Sequence, residues 1–236
     1  MGIKFHFLNV GHGDTTIIQG SDSTVTVVDM NRSNEFDEES AKEIAAEYKQ
    51  DFEAIKNSGV GFYSALSKYY DIALDDPIAY IENEIGVTSI QRYVQTHPDL
   101  DHFSGFKALI DKFEIHDFWD TDHKNVEKTD FLNESDKDDW EAYSDYRKDG
   151  ATYHYRSHAS IGGVTGYNIF VFHPTTKALL EGDKKGNPDT NCFSYLTLIE
   201  CGGFKVVLGG DVPEKYWKDL WGGWTPMIRR SNSFAG

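Results

Sequence analysis

The sequence predicts a layered α/β (α+β) protein with mixed sheets. Short runs of alternating or β-branched residues fill the first 30 positions and return after position 90. A stretch with helical spacing lies between them. Strands, then helices, then strands and helix again is the order of sheets covered by helices. The 236 residues are 39% hydrophobic and 14% aromatic. That is enough for a packed core without disulfide staples. The chain reads as a single domain over residues 1–236.

Residues 3–10 (IKFHFLNV) have the period of a strand, with Phe5 and Phe7 on one face. Gly11-His12-Gly13-Asp14 signals a turn. Thr15–Gln19 and Thr24–Val28 are β-branched runs joined by Gly20-Ser21-Asp22-Ser23, which reads as a hairpin turn. The opening is therefore a three-strand meander ending at Asp29. Residues 36–56 follow with helical spacing; Ile44, Tyr48, Phe52 and Ile55 fit one face. Residues 62–74 and 77–85 predict two more helices, the second with Pro77 in its first turn. This stretch reads as a helical insertion at 33–88 in a β-rich domain. Strands are expected at 90–95, 115–119, 167–172, 193–200 and 204–208, and helices at 103–113 and 134–147. Thr96–His102 reads as a loop.

Charge and cysteine content narrow the function. Lys and Arg number 23 against 39 Asp and Glu, a net charge of −16. Such a surface opposes non-specific binding to nucleic acid or an anionic membrane. A metal site can still supply local positive charge for a phosphate substrate. No apolar run reaches the ~20 residues of a membrane helix. Met1–Val10 has no basic flank and long apolar stretch, so no secretory signal is expected. The two cysteines, Cys192 and Cys201, form no disulfide framework and point to a reducing cytoplasm.

The chemistry concentrates in Thr96-His97-Pro98-Asp99-Leu100-Asp101-His102. Four metal-capable side chains fall within six residues, directly after a strand. Imidazole nitrogen and carboxylate oxygen suit borderline and hard divalent ions. His97 and Asp99 can share one ion, and Asp101 and His102 a neighbouring one. Two adjacent ions suit hydrolysis. The plainer reading is a polar turn around Pro98.

These residues resemble a family. His97-Pro98-Asp99-Leu100-Asp101-His102, flanked by Thr96 and by Phe103-Ser104-Gly105-Phe106, looks like the metal motif of the metallo-β-lactamase fold superfamily. The usual pattern there is His-x-His-x-Asp-His, and Asp99 stands where the second His would. That variant is similar to the nuclease-like domain of ComEC-type competence proteins. Phe7–Asp14 resembles that group's opening strand and Gly-x-Gly-Asp turn. Val25–Asp29 resembles the strand ending in the superfamily's first Asp. Asn191–Leu198, Gly202-Gly203-Phe204 and Leu208-Gly209-Gly210-Asp211 resemble the strands leading to its bridging Asp.

The resemblance implies a four-layer αββα sandwich with two divalent ions, Zn or Mn. His97 and Asp99 would hold the first ion, Asp101 and His102 the second, and Asp211 would bridge. Asp101 would orient the attacking water or hydroxide. Asp14 and Asp29 would hold the ligand loop through hydrogen bonds. His12 could reach substrate. His173 or Asn191 could add a ligand; a loop histidine and a turn cap are the competing readings. The implied activity is hydrolysis by a metal-bound hydroxide, with a phosphodiester favoured over an ester or lactone. The family's later His, expected after the bridging Asp, is absent up to Gly236. The C-terminal half therefore reads as shortened, with a sheet edge left for a dimer or a partner protein. The rival reading is a catalytically impaired binding or regulatory module that needs such a partner.

Overall fold

A computed structural model describes residues 2–32, 36, 38–67, 73–124, 126–129, 131, 133–148, 152–154, 159–161, 167–185 and 188–217; for 152–154, 159–161 and 173 it gives the backbone alone. The chain divides into two compact units. The first comprises Met1–Gln95, Asp99–Trp119 and Lys128–Thr152, and the second Thr96–Pro98, Asp120–Glu127 and Tyr153–Gly236.

The first unit opens with the meander β1 (Lys4–Phe7), β2 (Thr16–Gln19) and β3 (Val25–Val28), antiparallel throughout. The β3 residues Val-Thr-Val-Val are all buried, as expected of a strand covered on both faces. Each fully buried Val contributes about 1.5–3 kcal/mol. β4 (Ser89–Val94) lies parallel to β3, and β5 (Glu114–Asp120) parallel to β4. Within this unit the strand order is β1-β2-β3-β4-β5, and the short β6 (Thr152–His154) starts at its last residue.

A parallel neighbour requires a crossover of a dozen residues or more. Between β3 and β4 this crossover is the helical stretch. It contains α1 (Glu38–Glu47), α2 (Phe52–Lys56), α3 (Phe62–Leu66) and α4 (Pro77–Tyr80), the last continued by a π-type turn at Ile81–Ile85. The expected helix over 36–56 is two helices. Lys49 turns left-handed (φ 57°), and the Asp51 carboxylate accepts from Ala54 N–H at 3.1 Å, capping α2. The break removes Tyr48 from the predicted apolar face, and it is 44% exposed. The other three residues of that face, Ile44, Phe52 and Ile55, pack partly buried against a cluster of Phe36, Ala41, Ala45 and Leu66. Parts of 33–88, namely 33–35, 37 and 68–72, lie outside the described residues.

Next come α5 (Leu100–Phe103), α6 (Phe106–Lys112) and α7 (Glu134–Tyr146). The expected helix 103–113 starts later, because Gly105 takes φ 86°. A Cβ there would lie 2.7 Å from both Arg32 Cβ and Met30 Cε, so only glycine fits. The buried Asp139 carboxylate accepts from the N–H groups of Gly105 (2.8 Å) and Lys107 (2.9 Å), capping α6 from α7. Aromatic rings fill the core beneath: Phe103 stacks on Tyr143 at 4.9 Å and Tyr93 on Phe118 at 5.5 Å.

The second unit holds an antiparallel sheet ordered β10-β9-β8-β7. Its strands are β7 (Ala159–Ile161), β8 (Asn168–His173), β9 (Leu196–Cys201) and β10 (Phe204–Leu208). The Cys201–Phe204 hairpin turns through Gly202 and Gly203, both at positive φ. α8 (Thr176–Gly182) and a 3₁₀ turn at Thr190–Phe193 pack around Leu196, Val212 and Tyr216. The turn occupies the first position of the strand expected at 193–200. The fold is thus mixed α/β with two sheets and several helices.

Candidate metal centre

β3 and β4 end side by side, with Val28 paired to Val94. The next residue on β3 is Asp29, held by its N–H donating to Val94 O at 2.9 Å. It adopts φ 54°, a left-handed conformation that Asp tolerates better than most residues. Beyond β4 the chain reaches Thr96 and then winds Leu100–Phe103 into the single turn α5, where a loop was expected. His102 N–H donates to Asp99 O at 2.9 Å, closing the turn. Helical winding sets Asp101 and His102 about 100° apart around an axis, instead of alternating as in an extended loop.

His102 is buried, with Nδ1 2.8 Å from Asp29 Oδ2. A carboxylate only accepts, so in the neutral ring Nδ1 carries the proton and Nε2 the lone pair. Nε2 lies 3.8 Å from Asp101 Oδ2. That separation is too long for a hydrogen bond. Asp14 is exposed; it, Asp29 and His102 each offer a ligand atom within 4.8 Å of the others'. His12 Nε2 is 3.3 Å from Asp101 Oδ2. Asp99 is engaged by Lys128, whose Nζ is 2.8 Å from Oδ1.

In the second unit His97 is fully buried, with Nδ1 3.0 Å from Thr96 Oγ1. Its Nε2 lies 3.8 Å from Asp211 Oδ2. Asp211 follows the turn after β10, where Gly210 takes φ 47° and Asp211 N–H donates to Ser194 Oγ at 3.1 Å. Asn191 lies in the 3₁₀ turn, its carbonyl accepting from Ser194 N–H at 3.1 Å. His173 ends β8, and its side chain lies outside the described residues. The segment 218–236, with Trp221, Trp224 and Arg229–Gly236, also lies outside them.

Several residues that position these groups carry no sequence motif. Gln95 is buried and donates from Nε2 to His102 O (3.1 Å) and Asp29 Oδ1 (3.4 Å). Tyr93 OH donates in turn to Gln95 Oε1 at 2.9 Å. Asn31 Nδ2 donates to the carbonyls of Val10 (3.1 Å) and His12. His123 is buried against Phe193, its Nε2 3.9 Å from Asp120 Oδ2. Its signal was a polar residue three positions after a buried strand end. Elsewhere in the first unit a cleft of about 500 Å³ is rimmed by Arg32, Asp76, Lys107 and Asp139. Arg32 holds Asp76 at 2.7 Å.

No protein-family profile matches the chain, and no curated protein matches it. Among solved structures it is similar to CmlA, a diiron β-hydroxylase from Streptomyces venezuelae, at 10% identity and TM-score 0.39 over 89% of this chain. A mutant of the same CmlA β-hydroxylase gives 10% identity and TM-score 0.39 over 86%. The chain spans about 30% of the length of those structures. Among the described residues no helix is long and apolar enough to cross a membrane.

Proposed function

We propose that the chain is a metal-dependent hydrolase of the metallo-β-lactamase type, acting on a phosphodiester. The observation that supports it best is the state of His102. A buried imidazole has one nitrogen committed to a buried carboxylate and the other 3.8 Å from a second carboxylate. This carboxylate–histidine arrangement orients metal ligands and raises their basicity. The nitrogen and oxygen donors fit a divalent ion of the zinc or manganese kind. Bound ions would supply Lewis acidity and lower the pKa of water.

The chain's own residues supply the rest. His102 Nε2 and Asp101 would hold one ion, and His97 and Asp211, 3.8 Å apart, would hold the other. Asp101, whose side chain is 31% exposed, can also accept the proton of the attacking water at a carboxylate oxygen. The net charge of −16 favours a nucleotide or short strand over long duplex DNA. The two cysteines are free thiols, and we place the protein in the cytoplasm on that basis.

Metal content and hydrolysis of bis(p-nitrophenyl) phosphate with Zn²⁺ or Mn²⁺ test the reading together. The expected result is metal uptake and turnover, both lost in His102→Ala, with turnover lost in Asp101→Ala. Failure of the parent to take up metal overturns the proposal. So does an Asp101→Ala variant that hydrolyses at the parent rate.

A further inference from the structure

Gln95 directly follows β4 and precedes the motif, and it is fully buried. Its Nε2 donates to His102 O at 3.1 Å and to Asp29 Oδ1 at 3.4 Å. Asp29 accepts at its other oxygen from His102 Nδ1, at 2.8 Å. Gln95, Asp29 and His102 thus form a closed ring of three hydrogen bonds. Each bond of such a ring constrains the other two. The Asp29 carboxylate, a broad two-fold rotor when unheld, is engaged at both oxygens. The Met30 N–H donates to the same His102 carbonyl at 2.8 Å, which ties the ring to the end of β3.

The amide itself sits one way round. Gln95 carries two N–H hydrogens, and two acceptors lie on its Nε2 side. Turned over, its carbonyl would face a carboxylate and another carbonyl, neither of which donates. Tyr93 OH fixes the opposite end, donating to Oε1 at 2.9 Å. The Tyr93 ring is held in its turn, stacked on Phe118 at 5.5 Å and edge-on to Phe106 at 5.3 Å. Order passes from a packed aromatic ring through an amide and a carboxylate to one imidazole.

We infer that Gln95 is a positioning residue for His102. Its amide holds Asp29 so that the neutral ring keeps its proton on Nδ1 and offers the Nε2 lone pair in one direction. This rests on the reading of His102 as a metal ligand given above. Histidine free in water prefers the other tautomer, with the proton on Nε2, so the surroundings have to hold this one.

Two substitutions keep the packing shapes and remove the polar groups: Gln95→Met and Tyr93→Phe. Nitrogen NMR of the metal-free proteins, at a pH where the ring is neutral, reads the tautomer; the His102 signal is identified by its loss in His102→Gln. Co²⁺ titration followed by calorimetry reads the affinity. The parent should show the Nδ1–H form. Gln95→Met should show a mixture of the two forms and bind Co²⁺ at least ~10-fold more weakly. Tyr93→Phe should move both readouts the same way by less. The double variant should match Gln95→Met, because the tyrosine acts through the amide. A purely structural role would lower the urea midpoint and leave both readouts as in the parent. Gln95→Met with the parent's tautomer, or with the parent's Co²⁺ affinity, overturns the inference. Should that variant not fold, Tyr93→Phe with both readouts unchanged overturns it. A parent that binds no Co²⁺ overturns the metal reading, and the tautomer readout then decides on Gln95 alone.

Discussion

His97 and His102 come from one short motif, yet their rings are held by different chemistry. His102 Nδ1 meets a buried carboxylate, Asp29, at 2.8 Å. His97 Nδ1 meets a hydroxyl, Thr96 Oγ1, at 3.0 Å. A carboxylate accepts only, so it fixes which nitrogen of His102 carries the proton. A hydroxyl donates or accepts, so its bond alone does not fix the tautomer of His97. The support differs as well. Behind His102 stand Gln95 and Tyr93, both fully buried and hydrogen-bonded in series. The pair His97–Asp211 rests on a glycine turn whose aspartate side chain is 41% exposed. The His102 side is built to present one lone pair in one direction; the His97 side leaves more freedom.

Breaking the His102 side should cost the most. Gly13→Ala places a methyl 2.1 Å from Asp101 O at a φ that L-residues avoid. Strain and overpacking together predict a loss of about 4 kcal/mol in urea unfolding. Gly59→Ala, also at positive φ but with nothing within 4 Å, is the control. It should lose only about 1–2 kcal/mol. Equal losses would mean that the turn does not pack on α5. Asp29→Ala should follow, at about 2–3 kcal/mol, because it leaves a buried imidazole N–H without its charged acceptor. Metal affinity measured by calorimetry should fall ~10–100-fold. Thr96→Val is the matching change on the His97 side. It should cost about 1 kcal/mol and reduce metal affinity less than Asp29→Ala does. If the two variants lose equal affinity, the asymmetry between the two histidines has no functional content.

The same contrast explains what could be read from the sequence. The meander and the two later hairpin strands were legible because β-branched runs with glycine turns between them specify local pairing. The motif residues were legible because their chemistry is packed into six consecutive positions. The expected loop at 96–102 became the turn α5, since a four-residue helix has too little periodicity to show. Gln95 was not legible: an amide at the end of an apolar strand gives no sign that it will reach His102 O, seven positions later. Asn31 and Asp139 act across 19 and 34 positions, where no local pattern can report them. The buried His123 was missed for the same reason. Long-range polar contacts decide how the site is held, and single-sequence patterns record short-range ones.

The smallest predicted effect concerns the second buried carboxylate on the His102 side. Asp139 caps α6, the helix that begins just after the turn carrying His102. Burial pushes its carboxyl above the usual range; the bonds from Gly105 and Lys107 N–H oppose this, and the charges of Asp136 and Asp138 add to it. The folded protein therefore keeps a proton at a pH where the unfolded chain has lost it. Its contribution to stability falls as pH rises from the ordinary carboxylate value through the folded one, and returns as pH falls. One proton corresponds to a slope of at most ~1.4 kcal/mol per pH unit. Asp139→Asn removes that titration but also replaces one acceptor by a donor facing an N–H. The variant should be the less stable protein at low pH, and its deficit should shrink as pH rises through the window. Urea midpoints of both proteins between about pH 4 and 8 measure this. A deficit constant across that range would show that Asp139 titrates alike in both states, and that its role beside the α5 turn is hydrogen bonding alone.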